Sequence, residues 1–251
     1  MDPLEAAAIL AAGAAAGAIN AVVGSGTLIT FPVLLAFGYS PVLANVSNNI
    51  GLVPGALSGL HGYRRELRGQ RDRLIRFGAA SLLGGALGAS ALLLLPASSF
   101  RAIVSVFIAL ALVLILLQPR LDAWLEPRRA AGPSDGGKPA VLAVLASGVY
   151  GGYFGGAQGI LLLAILGLSV RETLQRINGL KIALAMSVNL VASVIFVFAA
   201  QVAWTPALLI AAGSVLGGQL GARAGRRLEP RFLRAVIVLV GVAAIAKLIL
   251  G

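Results

Sequence analysis

Apolar residues run along this chain in long blocks separated by short polar breaks. The blocks cover approximately 4–23, 27–37, 41–61, 77–95, 101–118, 140–154, 159–168, 177–199, 205–222 and 235–250. A helix rises about 1.5 Å per residue and needs about 20 apolar residues to cross a hydrocarbon core, so most of these blocks read as transmembrane helices. Two of them, 27–37 and 159–168, are too short and reach only about half a bilayer. Each follows a glycine-rich break, Val23-Gly24-Ser25-Gly26-Thr27 in one case and Phe154-Gly155-Gly156-Ala157-Gln158-Gly159 in the other. Both are predicted to be the second arms of broken, re-entrant hairpins. The fold class predicted is an all-α polytopic membrane protein.

Composition agrees with the pattern. Of 251 residues 59% are hydrophobic and 12% charged, against about 45–50% and about 25% in soluble domains. This excludes an ordinary soluble enzyme and leaves almost no extramembrane domain, so any function lies within the helical bundle. The net charge of +11 would point to nucleic acid in a soluble protein. Here the basic residues cluster instead, at Arg64–Arg76, Arg120–Lys138 and Arg223–Arg234. Clusters of this kind mark cytoplasmic loops, so the expected partner is the lipid bilayer and not nucleic acid. Zero Cys removes disulfides, thiol catalysis and Cys-based metal sites. No Gly-x-x-x-x-Gly-Lys-[Ser/Thr] stretch supports ATP hydrolysis, and neither a cofactor nor an enzymatic activity is expected. Leu4–Val23 resembles a secretory signal in apolarity but carries Asp2 and Glu5 in place of a basic n-region, and is taken as a membrane helix.

The charge rule also orders the crossings. With 64–76 inside, 77–95 and 101–118 go out and back, placing 120–138 inside. If 140–168 is a hairpin without net crossing, 171–176 stays inside and 223–234 follows. This assigns all but Arg101 and Lys247 of the 20 basic residues to the cytoplasm and puts both termini outside. An internal repeat appears at an offset of 133: Leu83-Gly84-Gly85-Ala86-Leu87-Gly88-Ala89 against Leu216-Gly217-Gly218-Gln219-Leu220-Gly221-Ala222. Each half is a broken hairpin plus three crossings. Three is odd, so the halves are predicted to have inverted topology, an arrangement typical of secondary transporters with a midplane site at the discontinuous helices. The divisions expected are a first repeat over 1–118, a cytoplasmic linker over 119–139 and a second repeat over 140–251.

Several residues stand out as candidates for chemistry. At the breaks, Gly24, Gly26, Gly155, Gly156 and Gly159 permit unwound backbone whose N–H groups can hold an anion, with Ser25, Thr27 and Gln158 adding donors. Close packing alone is the alternative, as expected for Gly13-xxx-Gly17, Gly84-xxx-Gly88 and Gly217-xxx-Gly221. Asn45, Asn48 and Asn49 share one helical face, and Asn178, Lys181 and Asn189 share another. Such groups must point into the bundle, to bind a ligand or to join helices. Lys181 is the most informative. No acidic residue lies within a spanning segment, so an anionic substrate is its natural counterpart, with snorkelling to the cytoplasmic surface as the alternative. Arg176 and His61 sit near the cytoplasmic ends of their helices. Oligomeric state is not readable, since Gly-xxx-Gly faces serve contacts within one subunit or in a homo-oligomer alike.

Taken together, the residues resemble the TauE/SafE sulfite exporter family of membrane permeases. The resemblance rests on Gly17-Ala18-Ile19-Asn20-Ala21-Val22-Val23-Gly24-Ser25-Gly26-Thr27, Ala44-Asn45-Val46-Ser47-Asn48-Asn49, Gly62-Tyr63-Arg64-Arg65, Gly155-Gly156-Ala157-Gln158-Gly159 and Asn178-Gly179-Leu180-Lys181. It implies export of sulfite or an organosulfonate such as sulfoacetate across a bacterial plasma membrane. A gated anion channel is the competing reading, and a membrane-embedded partner subunit a third.

Overall fold

The computed structural model describes residues 1–131, 135–224 and 230–250. Among them are ten α-helices: α1 (Pro3–Val22), α2 (Thr27–Ala36), α3 (Pro41–Gly62), α4 (Arg71–Leu94), α5 (Ala97–Ala131), α6 (Lys138–Tyr153), α7 (Gln158–Ser169), α8 (Leu174–Ala199), α9 (Trp204–Ala224) and α10 (Pro230–Leu250). The chain is an all-α polytopic membrane protein. Pro3–Val22, Arg71–Leu94, Ala102–Leu121 and Leu174–Ala199 are each long and apolar enough to cross a bilayer. The two short arms are α2, with 10 residues, and α7, with 12. α3 has the length but not the apolarity, because Asn45, Ser47, Asn48 and Asn49 lie along it, all buried within the bundle. Pro119 does not end α5, which runs on to Ala131. Much of the segment expected as linker is therefore helical, and Ser134 within it lies outside the described residues, as do 225–229 of the third basic cluster.

Local chemistry sets several helix ends. Asp2 accepts the Leu4 N–H at 2.8 Å with Pro3 at the first helical position, a side-chain cap with φ already fixed for the helix. Pro41 is the first residue of α3 and Pro139 the second of α6.

Helix packing depends on small residues. α1 lies along α9, with Gly13 against the Ile210 backbone, Gly17 against Ser214 and Gly218, and Gly221 against Ala18. α6 lies along α4, where Gly84 meets Leu145 and Gly148, and Gly88 meets Val149 and Tyr153. Lipid tails are as apolar as Leu, so helices gain little transfer free energy by associating, and close backbone approach supplies the attraction. Further pairs are α3 with α9 and α8 with α4, α2 with α10 and α7 with α5, and α3 with α8. Replacing each helix of α1–α5 by its counterpart in α6–α10, and the reverse, converts this set of pairs into itself.

The hairpins are closed at their bases and meet at their tips. Tyr39, just after α2, donates to Glu5 in the first turn of α1 at 2.9 Å. Asp135 bridges to Val170, joining the start of α6 to the end of α7. Arg73 on α4 reaches Glu172 just before α8, so α4 and α8 begin on the same face, which carries the basic loop 64–76. α3 begins on the other face, because only residues 63–70 separate its end from the start of α4. The α1–α2 hairpin therefore enters from the face opposite to the α6–α7 hairpin.

Candidate functional site

Each hairpin tip is built by the same backbone device. The Gly24 N–H turns back to the Ile19 carbonyl at 3.0 Å, and the Gly155 N–H to the Tyr150 carbonyl at 3.3 Å. Both glycines occupy the left-handed region, at φ +84° and +81°, where a residue with a Cβ is strained. The tips then touch: the Gly159 N–H donates to the Gly24 carbonyl at 3.2 Å. A Cβ on Gly24 would stand 2.6 Å from the Gly159 Cα, and one on Gly159 the same from Gly24, so the crossing admits no larger residue. Ala157, ahead of α7, holds φ +61°, a position that costs a non-glycine residue roughly 1–2 kcal/mol.

Beside this crossing lies a partly open cavity. Its polar lining is Asn20, Thr27, Gln158, Lys181 and Asn189, and its remaining walls are Gly17, Ala21, Gly24, Gly55, Ala56, Gly59, Gly155, Gly159, Ile182, Ala185 and Met186. α3 contributes from its second half and α8 mainly from its first, with Asn189 just past its middle, so the cavity leans toward the basic face. Lys181 is 1% exposed. Gln158 donates to the Ser147 carbonyl at 3.1 Å and fills the space over Gly151. Asn20 accepts the Gly26 N–H at 2.6 Å, and Asn189 accepts from Asn49 at 3.5 Å.

The structure brings together seven of the candidate residues named from the sequence: Gly24, Thr27, Gly155, Gln158, Gly159, Lys181 and Asn189. Ser25, Gly26 and Gly156 belong to the tips without lining the cavity. Ser25 is fully buried, Gly26 packs on the Ala16 carbonyl and Asn20, and Gly156 packs on Phe154 and Leu28. Asn178 stands half-buried near the start of α8, outside the cavity lining. Asn45, Asn48 and Asn49 do not line the cavity themselves; they are engaged with Tyr153, Thr30 and Ser193, and Asn48 and Asn49 also reach the cavity-lining Thr27 and Asn189.

The expectation of free N–H groups at the breaks does not hold for five of them. Those of Gly24, Gly26, Gly155, Gln158 and Gly159 donate inside the protein, because closing a tight tip consumes the amides that an unwound strand would leave exposed. Side chains therefore carry more of the site's polarity than the sequence suggested. Asn20 was missed. A lone amide in an apolar helix one turn before a glycine break was the available signal. Asn189 was visible on the Lys181 face, and its place in the cavity came only with the fold.

On the basic face, Glu172 accepts from Arg73 at 2.8 Å and from Arg176 at 2.6 Å, while Arg73 also pairs with Asp135 at 3.0 Å. Gln70 adds a bond to the Arg176 carbonyl at 3.2 Å. Burial pushes the Glu172 carboxyl up, but the hydrogen bonds and charges of Arg176 and Arg73 outweigh it and hold the group below its ordinary value. His61 is exposed beside Arg64, 2.6 Å from its guanidinium, away from the cavity.

Comparison with known proteins adds the family. The family model described as sulfite exporter TauE/SafE matches residues 9–248. A protein of Escherichia coli (strain K12) called "Probable membrane transporter protein YfcA" is 28% identical over 236 residues, covering 93% of this chain and 86% of its own. A "Probable membrane transporter protein" of Haemophilus influenzae is 26% identical over 242 residues, covering 94% and 91%. "Probable membrane transporter protein ORF9" of a Sinorhizobium species is 26% identical over 239 residues, covering 93% and 88%. No solved structure matches significantly. With a family model spanning nearly the whole chain, and with glycine-tipped hairpins crossing beside a buried lysine in a multi-pass helical bundle, the chain belongs to the TauE/SafE sulfite exporter family.

Proposed function

We propose that this protein is a secondary transporter that exports a small sulfur-containing oxyanion, sulfite or an organosulfonate such as sulfoacetate, across the bacterial plasma membrane. The observation that carries this reading is Lys181, buried at the wall of a cavity where two broken hairpins cross. A buried ammonium favours an anion, and Asn20, Thr27, Gln158 and Asn189 supply amide and hydroxyl groups suited to its oxygens. Ile182, Ala185 and Met186 leave an apolar wall for the short carbon chain of a sulfonate. The exchange symmetry of the helix pairs, with hairpins entering from opposite faces, supports two inverted repeats over 1–118 and 140–251. Movement of one repeat against the other then exposes the site to each side in turn. The basic face is assigned to the cytoplasm by its arginines, and the chain termini to the outside.

Reconstitution tests the proposal. Efflux of sulfite from proteoliposomes is expected to saturate and to show counterflow of labelled substrate. Ohmic anion currents without counterflow would replace the carrier with a channel. A parallel screen with sulfoacetate, taurine and sulfate sets the substrate range.

A further inference from the structure

The half of the bundle opposite the basic face holds a second concentration of polar side chains, closed on one another. The Thr30 hydroxyl donates to the Asn48 amide oxygen, and the Asn48 amide donates to Thr27 at 3.4 Å. Asn45 donates to the Tyr153 carbonyl at 3.0 Å. Ser193 on α8 donates to Asn49 at 2.8 Å, and the Ala203 N–H donates to the Ser47 hydroxyl at 2.9 Å. This seam ties α3 to α2, to the α6–α7 tip, to α8 and to the turn before α9.

Three features separate it from an ordinary helix contact. Polar side chains in membrane segments are expensive and are retained where they are used, and here Asn45, Ser47, Asn48 and Asn49 are all under 8% exposed. The seam is also incompletely satisfied: the Asn45 amide oxygen and the Tyr153 hydroxyl, both buried, have no hydrogen-bond partner among the described residues. They belong to residues in direct contact, since Asn45 holds Tyr153's own carbonyl. Finally, the 133-residue offset that aligns the glycine motifs sets Asn45 against Asn178 and Asn48 against Lys181. The cavity therefore uses the α8 member of the second pair, while the α3 member is locked in the seam.

We propose that the seam is the closed second half of the translocation path, the gate through which the anion leaves toward the face opposite the arginines. Parting of α3 from α8 along Asn49–Ser193 opens it. The amides of Asn45 and Asn48 and the Tyr153 hydroxyl then become the donors that receive the anion from the Lys181 cavity. The inference rests on the transport reading above.

Native absence of Cys makes the test direct. In empty proteoliposomes, Ser193→Cys is probed with an impermeant methanethiosulfonate from the face opposite the basic loops. Ser193→Cys already gives up the hydroxyl's bond to Asn49; adding Asn49→Ala removes the remaining bond from Asn49 to α8, at Asn189, and is expected to speed labelling roughly 2- to 13-fold, the population change that follows loss of one net hydrogen bond. An unchanged rate, or labelling from the basic face alone, overturns the gate without reference to any substrate. In a second experiment Asn49→Cys and Ser193→Cys are combined and bridged with dibromobimane, whose thioether links resist the sulfite that would cleave a disulfide. Sulfite flux is expected to fall about tenfold or more while sulfite binding is retained, as for a gate held shut; each single variant treated alike controls for bulk. Flux that survives bridging overturns the proposal. So does joint loss of flux and binding, which would make the seam part of the binding site. If unmodified protein neither binds nor transports sulfite, the substrate reading fails and the labelling result still decides the gate.

Discussion

Replacing Lys181 by Met removes one positive charge while keeping the unbranched stem and most of the volume, so no large cavity opens in a position only 1% exposed. The packing of the stem is kept, so the empty protein is expected to remain folded. Anion binding is expected to fall. Losing a charge-assisted hydrogen bond of about 1.5–3 kcal/mol weakens sulfite affinity roughly 13- to 160-fold. A thermal-shift titration reads both at once. At sulfite set to about 100 times the wild-type Kd, ligand stabilises the native state by about 2.7 kcal/mol; after a 100-fold loss of affinity the same concentration gives about 0.4 kcal/mol. Calorimetric titration supplies the affinity directly. Lys181→Arg is expected to retain part of the binding, because guanidinium keeps the charge and changes the donor geometry. Arg65→Ala, exposed on the basic face, serves as the control. If Lys181→Met folds and binds sulfite within twofold of wild type, the lysine is not the anion's cation and the site has been misread.

The glycine crossing predicts a contrast. Gly159→Ala forces a Cβ to 2.6 Å from the Gly24 Cα and should cost about 1–3 kcal/mol as overpacking, whereas Gly78→Ala in α4, with open space around it, should gain up to about 1 kcal/mol from helix propensity; unfolding in mixed detergent measures both. Asn20→Ala leaves the buried Gly26 N–H without its acceptor and is expected to destabilise by about 1–3 kcal/mol, visible as a lower melting temperature with or without sulfite. Glu172 has a lowered pKa, so its pairing stabilises the fold fully above the ordinary carboxylate value of 4.5 and is lost as pH falls through the lower folded value. Melting temperatures followed downward from pH 6 should therefore decline below about pH 4.5 in wild type, and Glu172→Gln should flatten that decline.

The sequence by itself determined the class of the protein, the half-length arms and the glycine motifs, because apolar length against bilayer thickness and glycine spacing are one-dimensional quantities that folding does not alter. The 27–37 and 159–168 blocks became α2 and α7 with boundaries shifted by a residue or so. Lys181 was legible for the same reason, as a charge that lipid does not accept. Tertiary structure alone decided how the polar groups were divided. Asn45, Asn48 and Asn49 lie on one helical face in any α3, yet none of them lines the cavity: that face is taken up by Thr30, Tyr153 and Ser193, and touches the cavity only through Thr27 and Asn189. Asn20 joins Lys181 across 161 positions of chain. Likewise, the amides of Gly24, Gly26, Gly155, Gln158 and Gly159 were chemically available in the sequence and were taken up by the fold, since two tips that touch satisfy much of their own backbone.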